Sequence, residues 1–152
     1  MPDKAIGGTN KMTETKYILE LDEKQANILQ GACEFYARVR MGQWGVIPRA
    51  CVDLRDEDYC GKVQDCTDIL LKARKTVYPE LMDAGHSYGV GKFEDGDMAW
   101  ELYEVVRHCQ AWHNHPEGGM SVCFDKPMCF SGHKLAKCTA TEAAPCKPGD
   151  LL

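Results

Sequence analysis

Residues 97–124, DMAWELYEVVRHCQAWHNHPEGGMSVCF, decide how the rest of the chain must fold. The stretch reads as an amphipathic helix, a break at Pro116, Gly118 and Gly119, and a short alternating strand. Ala99, Leu102, Val105, Val106 and Cys109 recur at three- and four-residue spacing, the period of a helix face turned to a core. Trp100, Glu104, His108 and Trp112 recur every four residues, with Arg107 beside them. This second stripe supports two readings. One is a half-exposed helix face; the other is a ligand wall in which tryptophan stacks and arginine and histidine hold an anion.

Outward from this helix, the punctuation is clear. Asp95 or Asp97 stands where a cap is needed. The preceding residues 81–97 carry four glycines, at 85, 89, 91 and 96, which permit tight turns or close approach to a ligand. A second helix is predicted over 62–77, with Val63, Cys66, Ile69, Leu70, Ala73 and Val77 as its stripe and Pro79 closing it. Residues 43–58 are broken by Gly45 and Pro48 and read as loop. Asp22 followed by Gln25 is a capping-box pattern, and it starts a helix over 23–41 that Gly42 ends. Ahead of it, Tyr17, Leu19 and Leu21 alternate as a strand; Met120, Val122 and Phe124 alternate as another. The expected fold is therefore α+β, mainly helical: about three helices, with a small two-stranded sheet joining the N- and C-terminal strands. The expected organisation is a flexible tail over 1–15, one α+β domain over 16–124, and an irregular cysteine-containing tail over 125–152.

The composition limits the function. At 152 residues the chain suits one domain, and 44% hydrophobic residues are enough for a core. A net charge of −5 argues against nonspecific binding of duplex nucleic acid. No run of apolar residues is long enough to span a membrane, and the N-terminus lacks the apolar centre of a signal peptide. Nine cysteines without such a signal are expected as free thiols in a cytoplasmic protein.

Catalytic and metal templates fit poorly. Cys123, Cys129, His133, Cys138 and Cys146 lie close in sequence, but no Cys-x-x-Cys pair occurs. His108, His113 and His115 do not share one helix face. His115-Pro116-Glu117 matches half of a zinc-deaminase signature, but Gly149 stands where its last cysteine is required. Walker, GxSxG and strand-borne GxGxxG motifs are missing. No catalytic residue, metal or cofactor is expected.

What remains is a set of basic and aromatic residues. Tyr36, Arg38, Arg40, Gln43 and Trp44 gather at the end of the first helix, Tyr88 lies in the glycine-rich loop, and Arg107, His108 and Trp112 lie on the last helix. Guanidinium forks match phosphate and aromatic faces stack on bases, so these nine could line a small-nucleotide site. Equally, the aromatics could be core and the arginines could pair with carboxylates.

Three blocks also carry a resemblance. FYARVRMGQW (35–44), SYGV (87–90) and YEVVRHCQAWHNHPEGGMSVCFDKPM (103–128) resemble, in order, a family of small proteins encoded by tailed bacteriophages. The likeness covers roughly Lys16 to Met128. It implies a phage protein in the host cytoplasm. Such proteins without visible catalytic residues often work by sequestration, which suggests an oligomeric sponge for a cyclic nucleotide immune signal, held uncleaved at a subunit interface. The alternatives are an interaction protein that inhibits a host protein through its surface, and a nucleotide hydrolase.

Overall fold

The computed structural model describes residues 15–81 and 85–141. Most of the N-terminal tail expected over 1–15, and the end of the C-terminal tail, lie outside the described residues. Among the described residues there are four α-helices, α1 (Glu23–Arg40), α2 (Val46–Cys51), α3 (Tyr59–Val77) and α4 (Glu94–Asn114), followed by one 3-10 turn, Val122–Phe124.

α1 starts where its capping box dictates. The Gln25 N–H donates to Asp22 Oδ1 at 2.8 Å, and the Asp22 N–H donates to Gln25 Oε1 at 3.0 Å. The helix stops in a Schellman turn: the Gln43 N–H reaches the Arg38 carbonyl and the Gly42 N–H reaches the Val39 carbonyl. Gly42 takes φ +81°, and a Cβ there would sit 2.5 Å from Leu81 Cδ1. Gly42→Ala is therefore expected to cost about 2–3 kcal/mol, from left-handed strain plus overpacking. Urea denaturation checks it, and an unchanged midpoint would contradict this account.

α1 and α4 run antiparallel and form the main packing unit. One end is marked by Gly96, whose absent Cβ lets α4 approach Arg40; the other is marked by Gln110 donating to Asn27 at 2.8 Å. Ala37, Met41 and Ala99 form the buried centre, with Trp100 packed against it. The small alanines allow the close approach. Val105 and Val106 are also buried, whereas Leu102 is turned outward. Three acidic residues, Glu94, Asp95 and Asp97, occupy the first turn of α4, where the helix dipole favours negative charge. Asp95 and Asp97 thus lie inside the helix and Phe93 holds the capping position.

The two-stranded sheet is not formed: among the described residues there is no strand, and the fold is helical. Residues 16–21 carry no secondary structure, with Tyr17 93% and Ile18 92% exposed. Val122–Phe124 coils into a 3-10 turn capped by Ser121, whose side chain accepts from the Cys123 N–H. The physical reason is local. Trp112 at the end of α4 packs edge-on to Phe124, with ring centroids 5.5 Å apart, and donates from Nε1 to the Phe124 carbonyl. That draws the segment back onto its own helix, and a lone strand pair has little stability to compete. The number of helices also differs. Residues 46–51, read as loop, make a short helix in which Pro48 is the third residue, within the first turn where a missing N–H costs nothing.

After the 3-10 turn, Asp125–Thr141 is irregular but runs back along α4 as an arm. Its anchor is Glu101, 5% exposed. The Phe130 and Ser131 N–H groups both donate to Glu101 Oε1 at 2.6 Å, and the Ser131 hydroxyl donates to Oε2 at 2.9 Å. The Met128 N–H donates to Glu104 Oε2 at 3.2 Å.

Candidate functional site

Six of the nine expected ligand residues meet at the exit of α1. The Tyr36 hydroxyl donates to Asp95 Oδ2 at 2.5 Å, and Arg40 donates from Nη2 to Asp95 Oδ1 at 3.0 Å. The Tyr36 hydroxyl and the Arg40 guanidinium hold the Asp95 carboxyl below the usual carboxylate range. Arg38 pairs with Glu34 at 2.7 Å and donates from Nη1 to Gln43 Oε1 at 2.8 Å. Gln43 in turn donates weakly to the Ser87 hydroxyl at 3.4 Å. Trp44 meets Tyr78 edge-on, and Tyr78, Tyr88 and Phe93 continue the edge-to-face packing. Arg40 lies over the Phe93 ring and Arg38 over Trp100, at 4.6 and 5.6 Å. The Tyr88 hydroxyl donates to Glu80, and burial followed by that bond pushes its pKa up to about 12.

Each guanidinium here already faces a carboxylate, and the rings of Trp44 and Tyr88 already meet neighbours. A phosphate would have to displace Glu34 or Asp95. The structural reading of these residues is therefore the one the geometry favours.

Arg107, His108 and Trp112 stand apart. Twelve residues of α4 separate Asp95 from Arg107, about 18 Å along the axis. Arg107 donates to the Tyr103 hydroxyl at 3.1 Å and to the Val122 carbonyl at 3.2 Å. His108 and Trp112 are edge-to-face at 6.2 Å. His108 Nδ1 is buried without a hydrogen-bond partner among the described residues.

His108 leads to a different site. A cavity of about 320 Å³ lies between α4 and the arm, lined by Val105, His108 and Cys109 on one side and by Lys126, Pro127 and residues 135–139 on the other. Its floor is mostly apolar. It contains two lysines and a histidine and no carboxylate. Burial and a hydrogen bond with Cys109 push the Cys138 thiol up to about 11, so that sulfur is neutral at pH 7. The basic side chains of its lining are Lys126 and Lys137. In a chain of net charge −5 this is a local reversal of sign.

Sequence reasoning missed both lysines, because the segment that carries them shows no helix or strand period. It also missed Glu101, which holds that segment in place. A signal did exist for Glu101. Its neighbours at three and four residues are Asp97, Met98, Glu104 and Val105, so no basic side chain on α4 is placed to pair with it. A carboxylate on α4 without such a partner finds its donors elsewhere, here in the arm.

Among the described residues, no group of three His, Cys, Asp or Glu side chains is placed to hold a metal ion. Among them too, no helix is long and apolar enough to cross a membrane. Comparison with protein-family models, with curated proteins and with solved structures finds no match in any of the three.

Proposed function

We propose that this chain is a noncatalytic binding protein that sequesters a small nucleotide-class anion in the cavity beneath the arm. The observation that carries this reading is the charge of the cavity: Lys126 and Lys137 on an apolar floor, with His108 as a polar neighbour and no acidic lining residue. Apolar walls with a few convergent cationic groups suit a base joined to phosphate. The resemblance to small tailed-phage proteins supports the same reading, with a cyclic nucleotide immune signal as the cargo in the host cytoplasm. At about 320 Å³ the cavity is at the lower end of the roughly 300–1,000 Å³ range of ligand sites. It would take one nucleotide unit, and a cyclic di- or trinucleotide would extend past its open side.

Calorimetry against a panel of mononucleotides and cyclic di- and trinucleotides tests the proposal. At least one member is expected to give saturable heat, and chromatography is expected to recover it unaltered. Lys126→Ala with Lys137→Ala should weaken binding about 10–100-fold, the loss of one or two charge-assisted contacts. Arg38→Ala, which releases Glu34, Gln43 and the Trp100 ring and touches no lining residue of the cavity, should leave affinity unchanged. No heat with any member refutes sequestration, and consumption of the nucleotide would make the protein a hydrolase.

A further inference from the structure

Two thiols meet across the cavity. Cys109 comes from α4 and Cys138 from the arm, beyond the anchored Ser131. Both line the cavity, both are free, and their side chains share a hydrogen bond. Cys138 is exposed, so a small reagent reaches it from solvent. A disulfide needs Cα atoms about 4.4–6.8 Å apart, and sulfurs in hydrogen-bond reach are close to that geometry. The backbone that adjusts is the arm, which carries no helix or strand over residues 125–141. The neighbouring cysteines are placed differently. Cys51, Cys60 and Cys66 are exposed on α2 and α3, and Cys129 donates to the His133 carbonyl at 2.9 Å. A lone thiol would assign nothing. Two that meet between a helix and the segment docked on it can join the two covalently.

We propose that Cys109 and Cys138 form a redox latch: exchange with a small-molecule disulfide, of the class of oxidised glutathione, links them and ties the arm to α4. One cysteine, as the thiolate, attacks a sulfur of the reagent. A mixed disulfide forms, the reagent's own S–S bond breaks, and one thiolate leaves and takes up a proton from water. The other cysteine, likewise deprotonated, attacks the first cysteine's sulfur and expels the second reagent thiolate, which is protonated in turn. Two protein thiols lose two electrons and two protons, and one reagent disulfide becomes two thiols; an excess of dithiol reverses the step. Burial keeps the Cys138 thiol at about 11, so this sulfur is a slow nucleophile and a poor leaving group. The latch therefore closes slowly at pH 7, faster as pH rises, and opens slowly once made. Linked, the wall that bears Lys137 is fixed on α4; reduced, the arm relies on contacts such as those to Glu101 and Glu104. The latch needs no nucleotide, so it stands or falls apart from the sequestration reading.

Peptide mapping by mass spectrometry tests this on the full chain, reduced, then held with oxidised glutathione and digested without reductant. The peptides joined through Cys109 and Cys138 should exceed any other intramolecular pair by about tenfold or more, because the fold sets a high effective concentration for that pair alone. In urea this preference should vanish. Cys138→Ser should leave glutathione held on Cys109, since the thiol that would expel it is gone, and Cys109→Ser should leave it on Cys138. Amide exchange over residues 136–139 should slow by about tenfold or more in the linked protein. Glutathione on separate cysteines without the 109–138 link overturns the proposal, as does the same pairing preference in urea. A link that forms but leaves exchange over 136–139 unchanged overturns the latch, because the arm would then be equally fixed without it.

Discussion

Arg74→Met should unfold the protein more readily than any other single change of similar volume. Arg74 is the most deeply buried large side chain, 1% exposed, and it projects from α3 into the junction of three backbone stretches. Among its partners are the Gly42 and His86 carbonyls, which accept from Nη1 at 2.9 and 3.0 Å, and the Leu81 carbonyl, which is 3.5 Å from Nη2. These carbonyls belong to the exit of α1, the glycine-rich loop and the exit of α3. One guanidinium thus fixes three chain segments that no sheet and no large apolar core holds together. Methionine keeps the aliphatic length but leaves those carbonyls without their donor in a site that water enters poorly. A hydrogen bond to a charged group contributes about 1.5–3 kcal/mol, so the expected loss is about 3–5 kcal/mol. For a domain of this size that lowers the melting temperature by about 10–15 °C. Arg74→Lys should recover only part of the loss, because an ammonium is a point donor and cannot fork between separate carbonyls. Thermal denaturation followed by circular dichroism measures it. A melting temperature within a few degrees of wild type would show that the three segments are held by other contacts.

The helices were legible in the sequence because their signals are local. The Asp22–Gln25 box, the Gly42 stop and the three- and four-residue stripes each act within one turn or two. What failed was reading alternation as pairing. Tyr17, Leu19 and Leu21 alternate, and so do Met120, Val122 and Phe124, but a strand exists only with a neighbour to receive its hydrogen bonds. Trp112 competes for the second segment and wins through a nearby contact with Phe124. The candidate site divided along the same line. Tyr36, Arg40 and Trp44 stand near one helix exit, a proximity that the sequence itself shows. That Arg40 would face Asp95, 55 residues away, is a tertiary fact with no local mark. Lys126 and Lys137 were hidden in a segment without period, and tertiary contacts such as the Glu101 anchor make them part of a site.

That anchor sets the other large expectation. Glu101→Ala should free the arm from α4 and remove the cavity with it. Lys126 and Lys137 flank the anchored residues 130 and 131, so this carboxylate, with the Glu104 contact to Met128, helps to position both cationic walls. Burial by itself pushes the Glu101 carboxyl up. Donors from the Ser131 and Phe130 backbone, the Ser131 hydroxyl and the Cys129 thiol outweigh it and hold the group below the usual carboxylate range. The charged form is therefore the one that binds the arm. Removing it should cost about 2–4 kcal/mol of arm docking, several charge-assisted bonds less the hydration that the freed amides regain. Amide exchange at Phe130 and Ser131 should speed up by about a hundredfold or more, while protection in α1 stays as it was. Glu101→Gln should fall between, since the amide oxygen can still accept from both N–H groups but carries no charge. Acid should do the same to the wild type. A depressed folded pKa means that the contribution is complete above the ordinary glutamate value of about 4.3 and is lost as pH falls through the lower folded value. The arm should therefore stay docked from pH 5 to pH 8 and open in stronger acid, and nucleotide affinity should fall together with the protection of residues 130 and 131. Unchanged exchange at those two amides in Glu101→Ala would mean that the arm is held by its other contacts, and that the cavity does not depend on this carboxylate.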